Sequence, residues 1–143
     1  MIRGRVMVRY MLDSCVCIDF MRGRLPLGYE VLRKSDPRLF GIPAVVAAEL
    51  RLGAEKSRNA ERNRLLVESF LLPFEIVPFD TACSIEYARI RAELESKGTP
   101  IGPNDYLIAA TARACGAVLV TNNDSEFKRV NDLTLESWYE VDL

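Results

Sequence analysis

Short runs of aliphatic and β-branched residues alternate along this chain with longer amphipathic stretches, and turn residues punctuate the changes. Val6 to Leu12 reads as a strand, ended by Asp13. Val16 to Arg22 reads as a short helix, Gly23 to Pro26 as a turn, and Leu27 to Lys34 as a second helix broken by Asp36-Pro37. Leu39 to Ile42 is a short apolar strand. Pro43 suits the first position of the next helix, where its fixed φ fits and no N–H is needed. That helix covers Ala44 to about Lys56 and carries Glu49. Residues 61 to 72 form another, Pro73 closes it, and Glu75 to Phe79 is a third strand. Asp80 caps a long helix through Lys97, with Gly98 at its C′ position. Ile85, Ala88 and Ala92 share one face of that helix and Tyr87, Ile90 and Leu94 another, a pattern that suits packing on both sides, including against a second copy of the chain.

The stretch IGPNDYLIAATARACGAVLVTNND at 101–124 is the most informative. Asp105 stands two residues after Pro103, in the first turn of a helix that is apolar almost all round. A glycine ends that helix, a strand at 117–121 follows, and Thr121, Asn122, Asn123 and Asp124 crowd its carboxyl end. A last strand falls near Leu133 to Trp138. Strands alternating with helices predict an α/β fold with a mainly parallel sheet flanked by helices. In such sheets ligands bind at the carboxyl ends of the strands.

Composition narrows the chemistry. With 143 residues, 49% of them hydrophobic, the chain reads as one domain over 1–143 with a proper core. Met7 is an alternative start, which would make residues 1–6 an upstream extension. Histidine is absent, which removes Ser-His-Asp and Cys-His nucleophile pairs and zinc sites built on imidazole. Cys15, Cys17, Cys83 and Cys115 form no C-x-x-C pair and fit a reducing cytoplasm, Cys115 reading as a small core residue inside its helix. Arg3, Arg5 and Arg9 break the opening apolar run, so neither a signal peptide nor a membrane span is expected. The net charge of −1 hides an asymmetry: residues 1–64 hold 13 Lys+Arg against 7 Asp+Glu, and residues 65–143 hold 6 against 13. A basic half suits a phosphate backbone. The candidates are Arg22, Arg24, Arg51, Lys56 and Arg58, with Arg33, Lys34, Arg62 and Arg64 beside them.

Three acids then stand out. Asp13 ends an apolar strand, Glu49 follows Val45-Val46-Ala47-Ala48, and Asp105 precedes Tyr106-Leu107-Ile108-Ala109-Ala110. Burying an unpaired carboxylate costs several kcal/mol at least, so such groups find a cation or take a proton. Arginine pairing is one solution; a divalent ion held by all three is another. With oxygen ligands alone the ion is Mg²⁺ or Mn²⁺ rather than Zn²⁺.

Over essentially its whole length the chain resembles the PIN-domain ribonucleases, and among them the VapC toxins of bacterial toxin–antitoxin pairs. The resemblance is carried by YMLDS at 10–14, AAELRLGAEKS at 47–57, RAELESKGTPIGPNDYLIAATA at 91–112, LVTNNDSEF at 119–127 and VNDLTLESW at 130–138. It implies a PIN-like fold and metal-assisted endonucleolytic hydrolysis of RNA, leaving 3′-hydroxyl and 5′-phosphate ends. Asp13, Glu49 and Asp105 match the family's metal-binding acids and would act in catalysis. Where many relatives carry a fourth acid, two residues after the strand-end threonine (here Thr121), this chain has Asn123. Either Asn123 supports the site through water or Asp124 swings in; the first is favoured. Ser14-Cys15 replaces the usual Thr-Asn: Ser14 keeps a hydroxyl for Asp13 or the scissile phosphate, while Cys15 bonds more weakly than an amide. Pro43 stands near where relatives carry a helix-capping serine. The resemblance further implies a homodimer and a small VapB-like antitoxin whose tail blocks the acidic pocket.

Competing readings remain open on the sequence alone. A haloacid-dehalogenase-like phosphatase also starts from a strand-end aspartate, but needs a second one where Cys15 stands. A receiver-type domain needs paired acids after the first strand. A catalytically weak or dead PIN domain acting as a binding module differs from the enzyme only in whether RNA is cut.

Overall fold

A computed structural model describes residues 8–139. The start of the expected first strand, at Val6 and Met7, and the choice of first methionine therefore lie outside the described residues. Strand β1 is Tyr10–Leu12, followed by α1 (Ser14–Met21), α2 (Pro26–Lys34), a 3₁₀ turn at Pro37–Leu39, β2 (Phe40–Pro43), α3 (Ala44–Glu55), α4 (Ala60–Leu71), β3 (Glu75–Val77), α5 (Thr81–Ser96), α6 (Pro103–Ala114), β4 (Val118–Val120), α7 (Asp124–Phe127) and β5 (Leu135–Glu136).

The five strands form one sheet in the order β3-β2-β1-β4-β5, and every neighbouring pair is parallel. The chain begins in the middle, steps outward through β2 and β3, then returns to the other side of β1 for β4 and β5. The order therefore reverses between β1 and β4, and at such a switch point a crevice opens at the strands' carboxyl ends. In β1 the register places Leu12 opposite Val120, and the Asp13 N–H donates to the Val120 carbonyl at 3.0 Å. The first residue after β1 is thus fixed against the end of β4.

Strands buried on both faces must be apolar throughout. Met11, Leu12, Phe40, Ile42, Val77, Leu119 and Val120 meet that demand, packed under Val46, Ala47 and Leu50 of α3 and Ile108, Ala109 and Ala112 of α6. Gly41 lets β2 pack closely: a Cβ there would lie 2.9 Å from both Val77 and Val8 side chains. On α5, Cys83, Ile90 and Leu94 face the core and Tyr87 is half-buried, while the Ile85, Ala88 and Ala92 face is exposed. Asp80 caps α5 by accepting from the Cys83 N–H at 3.1 Å, and Gly98 takes φ +69° just beyond its end.

Some expectations shift. Pro43 is the last residue of β2 and the N-cap of α3, one position earlier than expected, because its extended φ and ψ belong to the strand. Cys115 is the half-buried C-cap of α6 and not an interior helix residue, since Gly116 at φ +63° ends the helix behind it. The short helix α7 has no counterpart among the elements that the sequence pattern predicts.

Candidate active site

The buried carboxylate of Asp13 caps α1, which begins immediately after β1. Its Oδ1 accepts from the Ser14 N–H at 2.8 Å and lies 3.5 Å from the Ser14 hydroxyl. Its Oδ2 accepts from the Thr121 hydroxyl at 2.7 Å and from the Cys15 thiol at 3.3 Å. Thr121 reaches across the crevice from β4, and its hydroxyl oxygen in turn accepts the Asn123 N–H at 2.9 Å. Each of these bonds to Asp13 comes from a neutral donor. A buried carboxylate without a cation keeps its remaining lone pairs available to one. Beside it the Cys15 thiol is pushed up to about 11, by burial first and by the Asp13 charge second.

Glu49 comes from α3, which β2 feeds. Its Oε1 is buried and has no hydrogen-bond partner among the described residues, while the carboxylate also contacts Asn104 and Ser14. Burial raises its affinity for a proton, and the neighbouring Asp13 charge adds to that. Ser14 thus stands between Asp13 and Glu49.

Asp105 lies in the first turn of α6, where free backbone N–H groups favour an anion. Gly102 makes room for it, since a Cβ there would meet Asp105 Oδ2 at 3.1 Å. Glu49, Gly102, Pro103, Asn104 and Asp105 line one cavity of about 310 Å³. Asp105 is pushed up to about 8, by burial first, then by a hydrogen bond with Glu126 and by the charges of Asp13, Glu126 and Glu49. Glu126 moves the opposite way. It shares that hydrogen bond from the anionic side and also receives the Asn123 amide, the Arg129 charge and the Gly102 N–H. Burial therefore favours the proton on Asp105, and the surrounding donors favour the charge on Glu126.

Glu126 is a site residue that the sequence pattern does not single out. The expected fourth position behaves differently: the Asn123 amide donates to Glu126 at 3.1 Å, and Asp124 is exposed at the start of α7. Because α7 turns the chain back within three residues, Glu126 returns to the site that Asp124 leaves. Asn123 sits in the site region as a support for Glu126.

Oxygen donors, an orphaned buried carboxylate oxygen and the acids gathered around Asp105 fit a hard divalent cation. Among the described residues, no three acidic or thiol groups are gathered tightly enough to make a preformed cage. Asp13 is instead turned to Thr121, and Asp105 to Glu126.

The basic candidates divide. Arg51 makes a two-pronged ion pair with Glu68 at 2.8 and 3.0 Å, and Arg64 pairs with Glu55 at 2.7 Å through two nitrogens; both pairs join α3 to α4. These partners lie too far along the sequence to be inferred from it. Arg33 and Lys34 pair with Glu30. Arg22, Arg24, Lys56, Arg58 and Arg62 are exposed, with no acidic partner among the described residues.

Comparison with known proteins identifies the family. The PIN-domain family model matches residues 10–133. Ribonuclease VapC2 of Rickettsia felis is 42% identical, covering 90% of this chain and 97% of its own length. The tRNA(fMet)-specific endonuclease VapC of Salmonella typhimurium is 39% identical, covering 92% and 99%. The structure of DNA-bound VapBC from Salmonella typhimurium superposes with a TM-score of 0.87 at 38% identity, covering 92% of this chain and 98% of that one. The chain belongs to the PIN-domain family and, within it, to the VapC ribonucleases.

Proposed function

We propose that this protein is a Mg²⁺-dependent endoribonuclease, the toxin of a toxin–antitoxin pair, working through Asp13, Glu49 and Asp105 with Glu126 as the fourth acid. The observation that carries the reading is the orphaned Oε1 of Glu49, set beside the Asp13 charge, which also acts on Asp105, at the sheet's switch point. Mn²⁺ suits the same oxygen donors. When bound, the ion supplies an acidified water and charge stabilisation at the phosphorus.

The chain's own residues do the rest. Thr121, Ser14 and Cys15 fix the orientation of Asp13 from both sides of its carboxylate. Glu49, whose affinity for a proton is raised by burial, is suited to receive the proton of the attacking water. Burial and the charges of Asp13, Glu126 and Glu49 raise the proton affinity of Asp105, and its hydrogen bond with Glu126 holds it beside the cavity.

The relative named for tRNA(fMet) makes initiator tRNA the first substrate to test. The VapBC complexes among the solved relatives argue for a VapB-like antitoxin as partner. The exposed Ile85, Ala88 and Ala92 face of α5 is where we place a second copy of the chain. Four free thiols and the lack, among the described residues, of any helix able to cross a membrane support a place in the cytoplasm. Expression in a bacterium tests the reading. The protein alone should arrest growth with fragmented RNA, the Asp13→Asn variant should not, and the cognate antitoxin should restore growth. Equal arrest by Asp13→Asn would refute it.

A further inference from the structure

The Cys15 thiol stands against Asp13, and one of the groups that enclose it comes from the far end of the chain. Its Sγ lies 3.3 Å from Asp13 Oδ2 and 3.9 Å from the Thr121 hydroxyl. On another side it meets the Tyr139 hydroxyl. Tyr139 is itself tied, since its hydroxyl donates to Asp19 Oδ2 at 2.5 Å. Asp19 follows Cys15 by four residues on α1, one turn further along the same face. The bond to Asp19 therefore sets the hydroxyl over the Cys15 turn of the helix. Burial first and the Asp19 bond second keep the phenol protonated, so it remains a donor.

The neighbouring Trp138 gives Tyr139 a firm starting point. Trp138 is buried, its ring centre 5.6 Å from that of Phe40, 6.0 Å from Phe20 and 6.3 Å from Tyr10. Those three rings belong to β2, α1 and β1, so the residue after Trp138 leaves from the packed base of the site.

The chemistry of a thiol explains why such support matters. A thiol is a weak donor on a side chain that turns about one bond, whereas an amide donates more strongly. A weak donor orients a carboxylate only when its own rotamer is fixed. Enclosed by Asp13, Thr121 and Tyr139, the Cys15 side chain is fixed.

We propose that Tyr139 is a positioning residue for Asp13: bound to Asp19, its hydroxyl keeps the Cys15 thiol directed at Asp13 Oδ2, and so keeps that carboxylate in one orientation for a divalent ion. Groups that orient a metal ligand from behind commonly change its affinity by a factor of about 10 to 100. In this role Tyr139 touches neither ion nor RNA and acts only through Cys15. The family model ends at residue 133, and Tyr139 lies beyond it. The inference rests on the metal-binding reading above and names a residue that tunes it.

The test titrates Mn²⁺ into the full chain without RNA, following the electron paramagnetic resonance signal of the free ion. RNA cleavage over a Mg²⁺ series runs alongside, and Asp13→Asn gives the background of ions bound elsewhere. Tyr139→Phe, which loses only the hydroxyl, should weaken Mn²⁺ binding about tenfold and raise the Mg²⁺ needed for half-maximal cleavage by the same factor. KM for RNA at saturating Mg²⁺ should not change. Cys15→Ala should weaken binding at least as much. Adding Tyr139→Phe to Cys15→Ala should weaken it no further, because a residue that acts through Cys15 then has nothing to act on. Thermal unfolding in EDTA checks that each variant is folded. Wild-type Mn²⁺ affinity in Tyr139→Phe would overturn the proposal; if its melting temperature also fell, the bond to Asp19 would be a structural tie alone. A further tenfold loss in the double variant would also overturn it, since the hydroxyl would then act by another route. If the wild-type chain binds no Mn²⁺, the metal-binding reading itself has failed and the positioning role falls with it.

Discussion

Replacing Asp105 with asparagine should make the metal-free protein more stable at alkaline pH and leave it nearly unchanged at acid pH. The Asp105 carboxyl is pushed up to about 8 by burial and by three neighbouring acids. Its folded form therefore keeps a proton over a range where the unfolded form, at its usual 3.8, has lost it. Between those two values the folded chain binds more protons, so stability falls as pH rises through the window. Fully enclosed, such a carboxyl would cost on the order of 5 kcal/mol to ionise. Asp105 is only half-buried and Glu126 shifts the other way, so solvent screening and that opposition reduce the figure to about 1–2 kcal/mol. Asparagine has nearly the shape of the neutral acid, can donate to Glu126 and never ionises. Urea unfolding in EDTA at pH 3 and pH 9 measures the difference: Asp105→Asn should match wild type at pH 3, below the unfolded value, and exceed it by about 1–2 kcal/mol at pH 9. In excess Mg²⁺ the order should reverse, because only the wild type gains from the ion. An equal gain at both pH values, or a loss at pH 9, would refute the reasoning.

Thr121→Val removes the hydroxyl that bonds Asp13 and receives the Asn123 N–H. It should cost about 1–3 kcal/mol in urea unfolding, because both partners are left short of a bond. Glu126→Gln should raise the Mg²⁺ needed for half-maximal cleavage, while Asp124→Ala changes it little; the reverse ranking would return the fourth position to Asp124. Asn123→Asp sets a second carboxylate against Glu126 in place of a donated amide at 3.1 Å. It should lower stability in EDTA by about 1 kcal/mol, with Mg²⁺ restoring the loss.

The parts of the fold that follow from local rules were legible in the sequence. Asp80, Gly98 and Gly116 mark helix ends through chemistry that acts within a few residues. The apolar strands read correctly because a parallel sheet buries both faces, although the hydrogen-bonded ladder begins and ends inside the apolar runs, as at Glu75–Val77. Asp13, Glu49 and Asp105 were visible because each is an acid set beside an apolar stretch. Glu126 was not, since it lies in a polar run and reaches the site only through the turn of α7. The pairs Arg51–Glu68 and Arg64–Glu55 were hidden for a similar reason: they depend on how α3 and α4 pack, which no local pattern encodes. Charge counts alone could not separate those arginines from Arg22 and Arg58.

Cleavage of RNA by the purified chain over a Mg²⁺ series, wild type beside Asp13→Asn, tests the central claim most directly. Asparagine keeps the shape of the α1 cap and can still accept from the Ser14 N–H, so the fold should survive while the buried negative charge is lost. The account predicts cleavage by wild type that vanishes in EDTA and rises with Mg²⁺, and none by a folded Asp13→Asn variant at any Mg²⁺ concentration. Cleavage by wild type that persists in EDTA, or cleavage by Asp13→Asn at the wild-type rate, would contradict it.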